Sequence, residues 1–352
     1  MIVINARFLT QEITGVQRFA IEISLRLKEL LGDEVVFFTP PNIIQIEYAQ
    51  RLDAKVIGVH KGHVWEQWDL PNFLNKNGSP LLLCLCNTAP LYYKNKIITI
   101  HDVAFKAYPQ TFSKAFLYYY KFMIPRIIKS ALKIITVSQF SKDEIIKYYG
   151  TEERKIKVVY PAVANNFHIE EDTNLKKEKY LLAVSSLNYR KNFISILKAF
   201  DIFEKKRLDI SLYIIGDLSN GSFKNIDISK YKSNPRIKFL GRVSDEQLVK
   251  YYSNALAFVF TSIYEGFGIP PLEAQACGCP ILVSSIPPLH EIIGNSGMFC
   301  DPYNSHNIAN CMSEILNNPN GLEKKGFENA KRFSFTISAK QVYNIIIQYL
   351  NI

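Results

Sequence analysis

Short runs of β-branched and aromatic residues alternate along the chain with longer stretches in which apolar residues recur at helical spacing. Runs of the first kind predict strands, and stretches of the second kind, such as residues 193–203 and 244–252, predict amphipathic helices. The predicted strands fall into two groups, at residues 2–4, 35–38, 55–59, 81–86, 97–100 and 133–137, and at residues 180–184, 211–215, 236–240, 256–261 and 280–283. Because strands that alternate with helices build parallel sheets, the pattern predicts an α/β fold that occurs twice.

Two domains of ordinary size fit the chain length of 352 residues, since a typical domain has about 150 residues. Residues 164–179 are polar and charged without apolar periodicity, which predicts an interdomain linker. A last amphipathic stretch, residues 335–350, is expected to pack back across the junction. We therefore predict a first domain at residues 1–165 with a crossing helix at residues 336–352, and a second domain at residues 166–335.

The composition is that of a soluble globular protein, because hydrophobic residues make up 48% and charged residues 21%. The six cysteines include two C-x-C pairs and no C-x-x-C pair, so we expect small buried residues in a reducing compartment. No signal peptide and no apolar run of about 18 residues is present. These features predict a cytoplasmic protein that is at most peripheral on the inner face of the cytoplasmic membrane.

The excess of 42 Lys and Arg over 32 Asp and Glu gives a net charge of +10, which indicates an anionic partner. Between Lys94 and Lys133, aromatic residues are interleaved with eight cations, and Asp102 is the sole acidic residue. The eight cations are Lys94, Lys96, Lys106, Lys114, Lys121, Arg126, Lys129 and Lys133. A segment of this kind fits an anionic membrane surface, and an ordinary amphipathic helix with core aromatics is the alternative. No nucleic-acid recognition motif accompanies it, so no nucleic-acid partner is expected.

The most informative segment is SIYEGFGIPPLEAQACGCPILVSS, residues 262–285. It follows a predicted strand and begins a helix at Pro270 or Pro271, and the N–H groups of a helix start can bind phosphate. Glu265 and Glu273 flank the glycine-containing turn, and carboxylates accept hydrogen bonds from vicinal hydroxyls. Taken singly, each has a structural alternative, as a solvated loop acid or as an acid in the first turns of a helix. Together they favour a site for an anionic, hydroxyl-rich ligand.

The pair Glu265 and Glu273, with seven residues between them, resembles the signature of the family 4 retaining glycosyltransferases. Further segments resemble motifs of that family in the same order, namely TGVQRF at residues 14–19, HDVAF at residues 101–105, VSQFSKDEI at residues 137–145, YRKNFISILKAF at residues 189–200 and FLGRVSDEQL at residues 239–248. The resemblance covers nearly the whole chain. It implies the GT-B fold, in which two Rossmann-like domains face each other across the reaction cleft and a C-terminal helix crosses back to the first domain.

The resemblance also implies a donor site that is built mainly by the second domain. Glu273 would hold ribose hydroxyls and Glu265 a hydroxyl of the transferred sugar, while the turn Gly266, Phe267 and Gly268 would offer backbone N–H groups. The family pattern assigns further donor contacts to three residues, Arg190, Lys191 and Val243.

Arg190 and Lys191 would grip the pyrophosphate of the donor, although an isolated Arg-Lys pair is by default a solvated one. Val243 would meet the base through its backbone. Many relatives have an arginine directly after the preceding strand, where this chain has Ser185 or Ser186. We therefore assign the phosphate contact to Arg190.

Four residues of the first domain complete the implied site. Gly15 would let its loop approach the phosphates or the acceptor, and Arg18 would contact phosphate or acceptor unless it is a helix-surface residue. His101 ends an apolar strand and precedes Asp102, at the sheet edge where ligands bind in open α/β folds. The resemblance implies that His101 contacts the donor sugar near the anomeric carbon, and Asp102 is assigned to the acceptor.

No metal ion and no other cofactor is predicted, because the sequence contains neither a D-x-D motif nor a pair of histidines spaced as H-x-x-x-H. An NAD-dependent oxidoreductase is excluded, since the chain after the first strand reads NARFLTQEITG and lacks G-x-G-x-x-G. A nucleotide-sugar epimerase, a phosphorylase and a non-catalytic sugar-nucleotide binder remain as alternatives with the same fold.

The predicted function is a retaining transfer of a sugar from a nucleotide-sugar to a hydroxyl of a lipid-linked oligosaccharide or surface polysaccharide. The segment RFLTQEITGVQRF resembles sequences of mannosyltransferases in bacterial O-antigen and lipopolysaccharide assembly, which suggests GDP-mannose as the donor. A UDP-hexose or a deoxysugar donor is the alternative. For this family, retention is thought to proceed by attack on the same face, so Glu265 is not assigned the role of a nucleophile.

Overall fold

The computed structural model describes residues 1–184, 188–216 and 228–350. The chain divides into two compact domains, of which the first comprises Met1–Ala162 with Ser334–Ile352 and the second comprises Val163–Phe333. The sequence predicted these domain boundaries between residues 165 and 166 and between residues 335 and 336. Each domain contains one sheet in which every strand pairing is parallel.

The sheet of the first domain has seven strands in the order β3-β2-β1-β4-β5-β6-β7. The strands are β1 Ile2–Asn5, β2 Val35–Thr39, β3 Lys55–Val56, β4 Leu81–Cys84, β5 Lys96–Thr99, β6 Lys133–Thr136 and β7 Ile156–Val158. The helices are α1 Gly15–Leu31, α2 Ile46–Arg51, α3 Gly62–Val64, α4 Leu70–Lys76, α5 Ala104–Ala107, α6 Lys114–Ser130, α7 Gln139–Tyr149 and, at the end of the chain, α15 Phe335–Leu350. A π-helical turn, Trp65–Asp69, joins α3 to α4.

The sheet of the second domain has six strands in the order β10-β9-β8-β11-β12-β13. The strands are β8 Tyr180–Val184, β9 Ser211–Ile215, β10 Ile237–Gly241, β11 Ala257–Phe260, β12 Ile281–Ser284 and β13 Met298–Cys300. The helices are α8 Phe193–Phe203, α9 Ser229–Lys232, α10 Asp245–Asn254, α11 Ile269–Ala276, α12 Pro287–Ile293, α13 Ser305–Asn317 and α14 Leu322–Ala330. The central strands β11 and β12 are buried over their full length, as expected for a sheet that is covered on both faces.

The predicted elements agree with the structure where the apolar pattern is long, as for β8, β9 and α8 at both ends. The amphipathic stretch at residues 335–350 forms α15. Strands β7 and β13 were not predicted, because three residues are too few to establish a period. The predicted strand at residues 55–59 is wrong beyond Val56. There the carboxylate of Asp69 accepts the backbone N–H groups of Val59 at 2.8 Å and His60 at 2.9 Å, which removes both groups from any ladder.

The C-terminal helix α15 packs on α1 within the first domain. Its buried residues Phe335, Ala339, Val342 and Ile346 recur at helical spacing and form one apolar stripe. Ser338 donates a hydrogen bond to the carbonyl oxygen of Tyr160 at 2.5 Å and so fixes the start of the helix. The predicted return of this helix to the first domain is therefore confirmed.

The polar segment at residues 164–179, predicted as a linker, is instead attached to α10 of the second domain. The backbone N–H of Glu170 donates to Ser253 at 3.0 Å, and the backbone N–H of Asp172 donates to Asn254 at 3.1 Å. The Asn254 amide also donates to the carbonyl oxygen of Glu170 at 3.1 Å. The prediction is wrong here because side chains at the end of α10 satisfy the backbone of this polar segment, and the buried ring of Phe167 contacts Tyr252 of α10.

All six cysteines are free thiols, and five of them are buried, which confirms the expectation of small buried residues. Within residues 1–184, 188–216 and 228–350, no helix combines the length and the apolar character that are needed to cross a membrane.

Lys96 is an exception in the basic segment between Lys94 and Lys133. Its side chain is fully buried, and its ammonium donates to the carbonyl oxygens of Pro90 at 2.8 Å and Tyr93 at 2.6 Å. Burial lowers the pKa of this ammonium to about 8. The prediction of a surface cation is wrong at Lys96, because carbonyl groups inside the fold replace the water that would otherwise surround it.

Helix α6, the centre of the basic segment, carries aromatic residues on two sides. Phe116 and Tyr120 stack with ring centroids 3.9 Å apart and pack against the core of the first domain. Tyr118 and Phe122 are 76% and 49% exposed, and Lys121 beside them is exposed as well. The helix therefore has an ordinary core face and a basic, aromatic outer face.

Candidate functional site

The predicted donor residues of the second domain lie around one point of its sheet, the carboxyl ends of β8 and β11. These two strands are neighbours, and the chain leaves them toward opposite edges of the sheet. In open α/β sheets ligands bind in the crevice at such a switch point. Arg190 and Lys191 follow β8, and the loop with Glu265 and Gly266 follows β11.

A direct ion pair joins the two loops. The ammonium of Lys191 lies 2.6 Å from a carboxylate oxygen of Glu265, and both side chains are largely buried, being 24% and 11% exposed. The same ammonium lies 5.4 Å from the ring centroid of Phe260, the last residue of β11. The backbone N–H of Ile263 donates to the carbonyl oxygen of Arg190 at 2.8 Å. The structure thus brings Arg190, Lys191 and Glu265 together.

The turn after β11 depends on a glycine at its end. Residues 261–268 are all buried, and Gly268 has φ +104°, a conformation that L side chains rarely adopt. A Cβ atom at this position would lie 2.7 Å from Leu289. Gly268 is the N-cap of α11, which begins at Ile269 and not at the predicted Pro270 or Pro271. Because Pro270 and Pro271 have no backbone N–H, the N–H groups that this helix start can offer to a ligand are those of Gly268 and Ile269, at the same edge of the sheet as the Lys191–Glu265 pair.

Glu273 lies in the second turn of α11 and is buried, with 9% of its surface exposed. The hydroxyl of Tyr252, on the neighbouring helix α10, is buried near it. Burial and the charge of Glu273 together raise the pKa of Tyr252 well above its usual value. Glu273 is thus a buried acid beside a neutral phenol.

Two asparagines of this site were not identified from the sequence. The side chain of Asn188 accepts the backbone N–H of Arg190 at 3.0 Å and begins the tight turn Tyr189–Lys191. Asn192 ends that turn in the left-handed conformation with φ +51°. The signal in the sequence was the spacing of two asparagines around the cations, since asparagine favours turns and helix starts.

Val243 lies half-buried between the end of β10 and the start of α10. It is at the carboxyl edge of the same sheet, two strands away from β8. Ser185 and Ser186, where many relatives have an arginine, lie outside the described residues.

The corresponding edge of the first domain holds His101, which is buried with 7% of its surface exposed. Its Nε2 lies 2.9 Å from the carbonyl oxygen of Leu85, so Nε2 carries the proton, and its ring meets Phe19 of α1 edge to face at 5.2 Å. Burial lowers the pKa of His101, and the Leu85 carbonyl and the charge of Asp102 offset this only in part. The imidazole is therefore neutral near pH 7.

The three other predicted residues of the first domain lie on segments next to His101. The side chain of Asp102 accepts the backbone N–H of Ala104, the first residue of the short helix α5, at 2.9 Å. Gly15 is the first residue of α1 and is exposed. Arg18 lies half-buried, one turn further along α1 and directly before Phe19.

A buried ion pair at the switch point of the first sheet, between β1 and β4, was not predicted. Arg7 follows β1, and its guanidinium lies 3.2 Å from the carboxylate of Glu66, whose side chain is 1% exposed. Asn5 donates to the same carboxylate at 2.8 Å, and Arg7 also donates to Thr88 at 2.9 Å. Burial alone would raise the pKa of Glu66, but Arg7 and His63 outweigh it and lower the pKa to about 2.

No metal site is apparent from the described part of the chain, where no three His, Cys, Asp or Glu side chains are grouped as ligands. Metal independence itself stays a prediction. The groups that the structure offers to a phosphate are the cations Arg190 and Lys191 and the start of α11.

Two family models match the chain in sequence order. The model described as Glycosyltransferase Family 4 matches residues 13–166, and the model described as Glycosyl transferases group 1 matches residues 165–333.

Curated relatives are similar over most of the chain. The O-antigen chain mannosyltransferase RfbU of Salmonella typhimurium is 27% identical, and the match covers 97% of this chain and 98% of that protein. The O-antigen chain mannosyltransferase B of Escherichia coli is also 27% identical, over 72% of this chain and 71% of that protein.

Solved structures agree in fold. Alr3699/HepE of Anabaena in complex with UDP has a TM-score of 0.77 at 16% identity, and the match covers 99% of both chains. WaaG, a glycosyltransferase involved in lipopolysaccharide biosynthesis, has a TM-score of 0.70 at 14% identity, over 98% of this chain and 99% of that chain. These matches confirm the predicted GT-B fold class with two Rossmann-like domains.

Proposed function

Because the chain belongs to the family 4 glycosyltransferases, with a family 4 domain followed by a group 1 domain, we propose that it transfers mannose from GDP-mannose. The acceptor is a hydroxyl of a lipid-linked oligosaccharide or a surface polysaccharide. The observation that carries this proposal is the similarity to the mannosyltransferase RfbU, which extends over 97% of the chain. The buried Lys191–Glu265 pair at the switch point supports it, since it supplies a cation and a hydroxyl acceptor side by side.

In the proposed site, Arg190 and Lys191 bind the pyrophosphate and stabilise the charge that develops on it as the glycosidic bond breaks. Glu265 holds Lys191 in place before the donor arrives, because the two groups are 2.6 Å apart. When the donor binds, the ammonium of Lys191 turns to phosphate, and the Glu265 carboxylate becomes an acceptor for a sugar hydroxyl. The N–H groups of the turn Gly266, Phe267 and Gly268 add neutral donors at the same edge.

Glu273 binds the ribose in the proposed site, and Val243 meets the base through its backbone. The Glu273 carboxylate, which is 9% exposed, can accept hydrogen bonds from two vicinal hydroxyls. His101 acts as a neutral hydrogen-bonding group toward the sugar, since its buried ring is not protonated near pH 7. Asp102, Arg18 and Gly15 are assigned to the acceptor side or to the phosphates.

The proposed reaction proceeds with retention on one face of the sugar. The bond between the anomeric carbon and the phosphate oxygen breaks, the acceptor oxygen bonds to the same carbon, and the departing phosphate takes the acceptor proton. Glu265 is not a nucleophile in this scheme, and its pairing with Lys191 is consistent with a binding role. No metal ion is required, because side-chain cations and a helix start meet the phosphate charge.

Incubation of the purified protein with GDP-mannose, UDP-glucose and GDP- and dTDP-deoxysugars tests the donor, with nucleotide release measured with and without a lipid-diphosphate acceptor. UDP-glucose belongs in the panel because HepE, which shares the fold, was solved with it. We expect acceptor-dependent release from GDP-mannose, undiminished by a chelator, and an α-linked product. Release from another donor alone would contradict the assignment of mannose. A β-linked product would contradict retention, and loss of activity in chelator would contradict a metal-free site. Isomerisation of a donor without transfer would favour an epimerase.

We also propose that the outer face of α6 rests on an anionic bilayer that carries the acceptor. This face presents Tyr118 and Phe122 beside Lys121 and Arg126, and rings at headgroup level with cations on phosphates are typical of peripheral helices. The Arg126 guanidinium lies 3.8 Å from the centroid of the Phe122 ring. Trp68, 64% exposed, lies on the adjoining segment, where His63 contacts Tyr119 of α6 with ring centroids 4.6 Å apart.

The double charge reversal Lys121→Glu with Arg126→Glu is expected to abolish most binding to vesicles that contain phosphatidylglycerol. A juxtamembrane cation contributes on the order of 1 kcal/mol, so two reversals should weaken binding by at least tenfold. Cosedimentation measures this, and the matched control is Lys205→Glu with Lys206→Glu, two exposed cations of the second domain. Equal loss in both variants would mean that net charge alone matters, and unchanged binding would contradict the assigned surface.

A further inference from the structure

We propose that Asn192 is a positioning residue. It fixes the Arg190–Lys191 turn against the loop after β11, so that both cations are held in the positions from which they bind the donor. The proposal rests on the function proposed above for these two cations. Asn192 itself carries no charge and is not assigned to the ligand, so its effect has to pass through its neighbours.

The backbone of Asn192 sets the direction in which the chain leaves the site. It ends the turn Tyr189–Lys191 and is the N-cap of α8, with φ +51° and ψ +34°. Side chains other than glycine avoid this left-handed region, and asparagine is among those that tolerate it best. The residue therefore allows Lys191 and Phe193 to belong to two separate helical segments without an intervening loop.

The side chain of Asn192 links three loops of the second domain. Its amide nitrogen donates to the carbonyl oxygens of Thr261, after β11, at 3.1 Å and of Pro302, after β13, at 2.6 Å. Its amide oxygen accepts the hydroxyl of Ser195 at 2.7 Å. Two carbonyl acceptors require an NH₂ group, which fixes the orientation of the amide and accounts for both of its hydrogens.

Further hydrogen bonds connect the Asn192 side chain and the loop after β11 to the two cations. The hydroxyl of Thr261 donates to the main-chain oxygen of Asn192 at 3.3 Å, and the N–H of Ile263 donates to the carbonyl oxygen of Arg190 at 2.8 Å. The Lys191–Glu265 pair then joins the same two loops through side chains. Because catalysis falls steeply when a group is displaced by about 1 Å, loss of the link should lower turnover although both cations remain.

The test is Asn192→Gly, which accepts the left-handed backbone and removes only the side-chain link. We expect kcat for sugar transfer to fall about tenfold or more, with the affinity for GMP within twofold of wild type, since GMP lacks the β-phosphate. The matched control is Asn320→Gly, an exposed asparagine of the same domain with φ +48°, which should keep full activity. Asn192→Asp keeps the size but turns a carboxylate toward two carbonyl oxygens, so it should not restore the rate.

The outcomes separate this proposal from the one on which it rests. Full kcat in Asn192→Gly overturns the positioning role, and so does an equal loss of kcat and GMP affinity, which would indicate general disruption of the domain. If Lys191→Ala loses activity in the same assay while Asn192→Gly does not, the phosphate clamp stands and only the link fails. If Arg190→Ala and Lys191→Ala both keep the wild-type rate, the clamp itself is wrong, and so is the position that Asn192 is proposed to give the two cations.

Discussion

Replacement of Lys191 or Arg190 by alanine is expected to lower the turnover of donor by about 10²-fold or more, as the loss of one preorganised charge-stabilising group typically does. We expect the larger loss of turnover from Lys191→Ala, because the Lys191 ammonium is held at 2.6 Å from Glu265 and only 24% of its side chain is exposed. A group that is already ordered and partly desolvated loses little further freedom when phosphate arrives.

Steady-state rates with the donor identified in the panel measure this effect. Lys198→Ala removes an exposed lysine of α8 and serves as the matched control, which should retain the wild-type rate. Glu273→Ala gives the contrasting result, since it should weaken binding of donor and free nucleotide alike. Rates near wild type in both Arg190→Ala and Lys191→Ala would refute the clamp, and unchanged nucleotide affinity in Glu273→Ala would refute the ribose assignment.

The second large effect concerns the stability of the first domain. Glu66→Ala leaves the guanidinium of Arg7 buried and unpaired, which should lower the free energy of unfolding of that domain by about 3–5 kcal/mol. The exposed Glu29 of α1 is the matched control, because a surface substitution to alanine should change it by no more than about 0.5 kcal/mol. If the double variant Arg7→Met with Glu66→Leu has nearly the wild-type free energy of unfolding, the destabilisation in Glu66→Ala comes from the unpaired charge of Arg7 and not from a cavity.

Tryptophan fluorescence in urea reports this domain alone, since Trp65 and Trp68 are the only two tryptophans of the chain. The same signal tests the pH dependence. Because the pKa of Glu66 falls from 4.5 in the unfolded chain to about 2 in the fold, its contribution is complete above pH 4.5 and is lost as the pH falls toward 2. Glu66→Gln should make the free energy of unfolding depend less on pH between pH 4.5 and pH 2. An unchanged pH dependence would contradict the assignment of a buried, ionised carboxylate to Glu66.

The sequence predicted the central parallel strands well because they are buried on both faces and therefore read as continuous apolar runs. For β8 and β9 the prediction agrees at both ends. Edge elements were predicted less well. The end of β3 is set by Asp69, which takes the N–H groups of Val59 and His60, and Asp69 is ten residues away from the first of them.

The candidate site shows the same division between local and distant causes. Glu265, Gly268 and Glu273 were found because they stand within one strand, turn and helix. The Arg7–Glu66 pair joins residues 59 positions apart, and only the order of strands in the sheet brings them together. Lys96 appeared to be one more cation in a basic run, because its acceptors Pro90 and Tyr93 belong to a loop with no sequence signature.

The placement of α15 has a consequence for how the polypeptide matures on the ribosome. The first domain is discontinuous, since Ser334–Ile352 completes it after the whole of Val163–Phe333 has been made. Domains generally fold in the order in which they leave the ribosome, but here the first domain lacks the partner of α1 until Phe335–Leu350 has been synthesised. A nascent chain therefore exposes the face of α1 that α15 covers throughout synthesis of the second domain, and a chain that stops before Phe335 leaves the first domain incomplete.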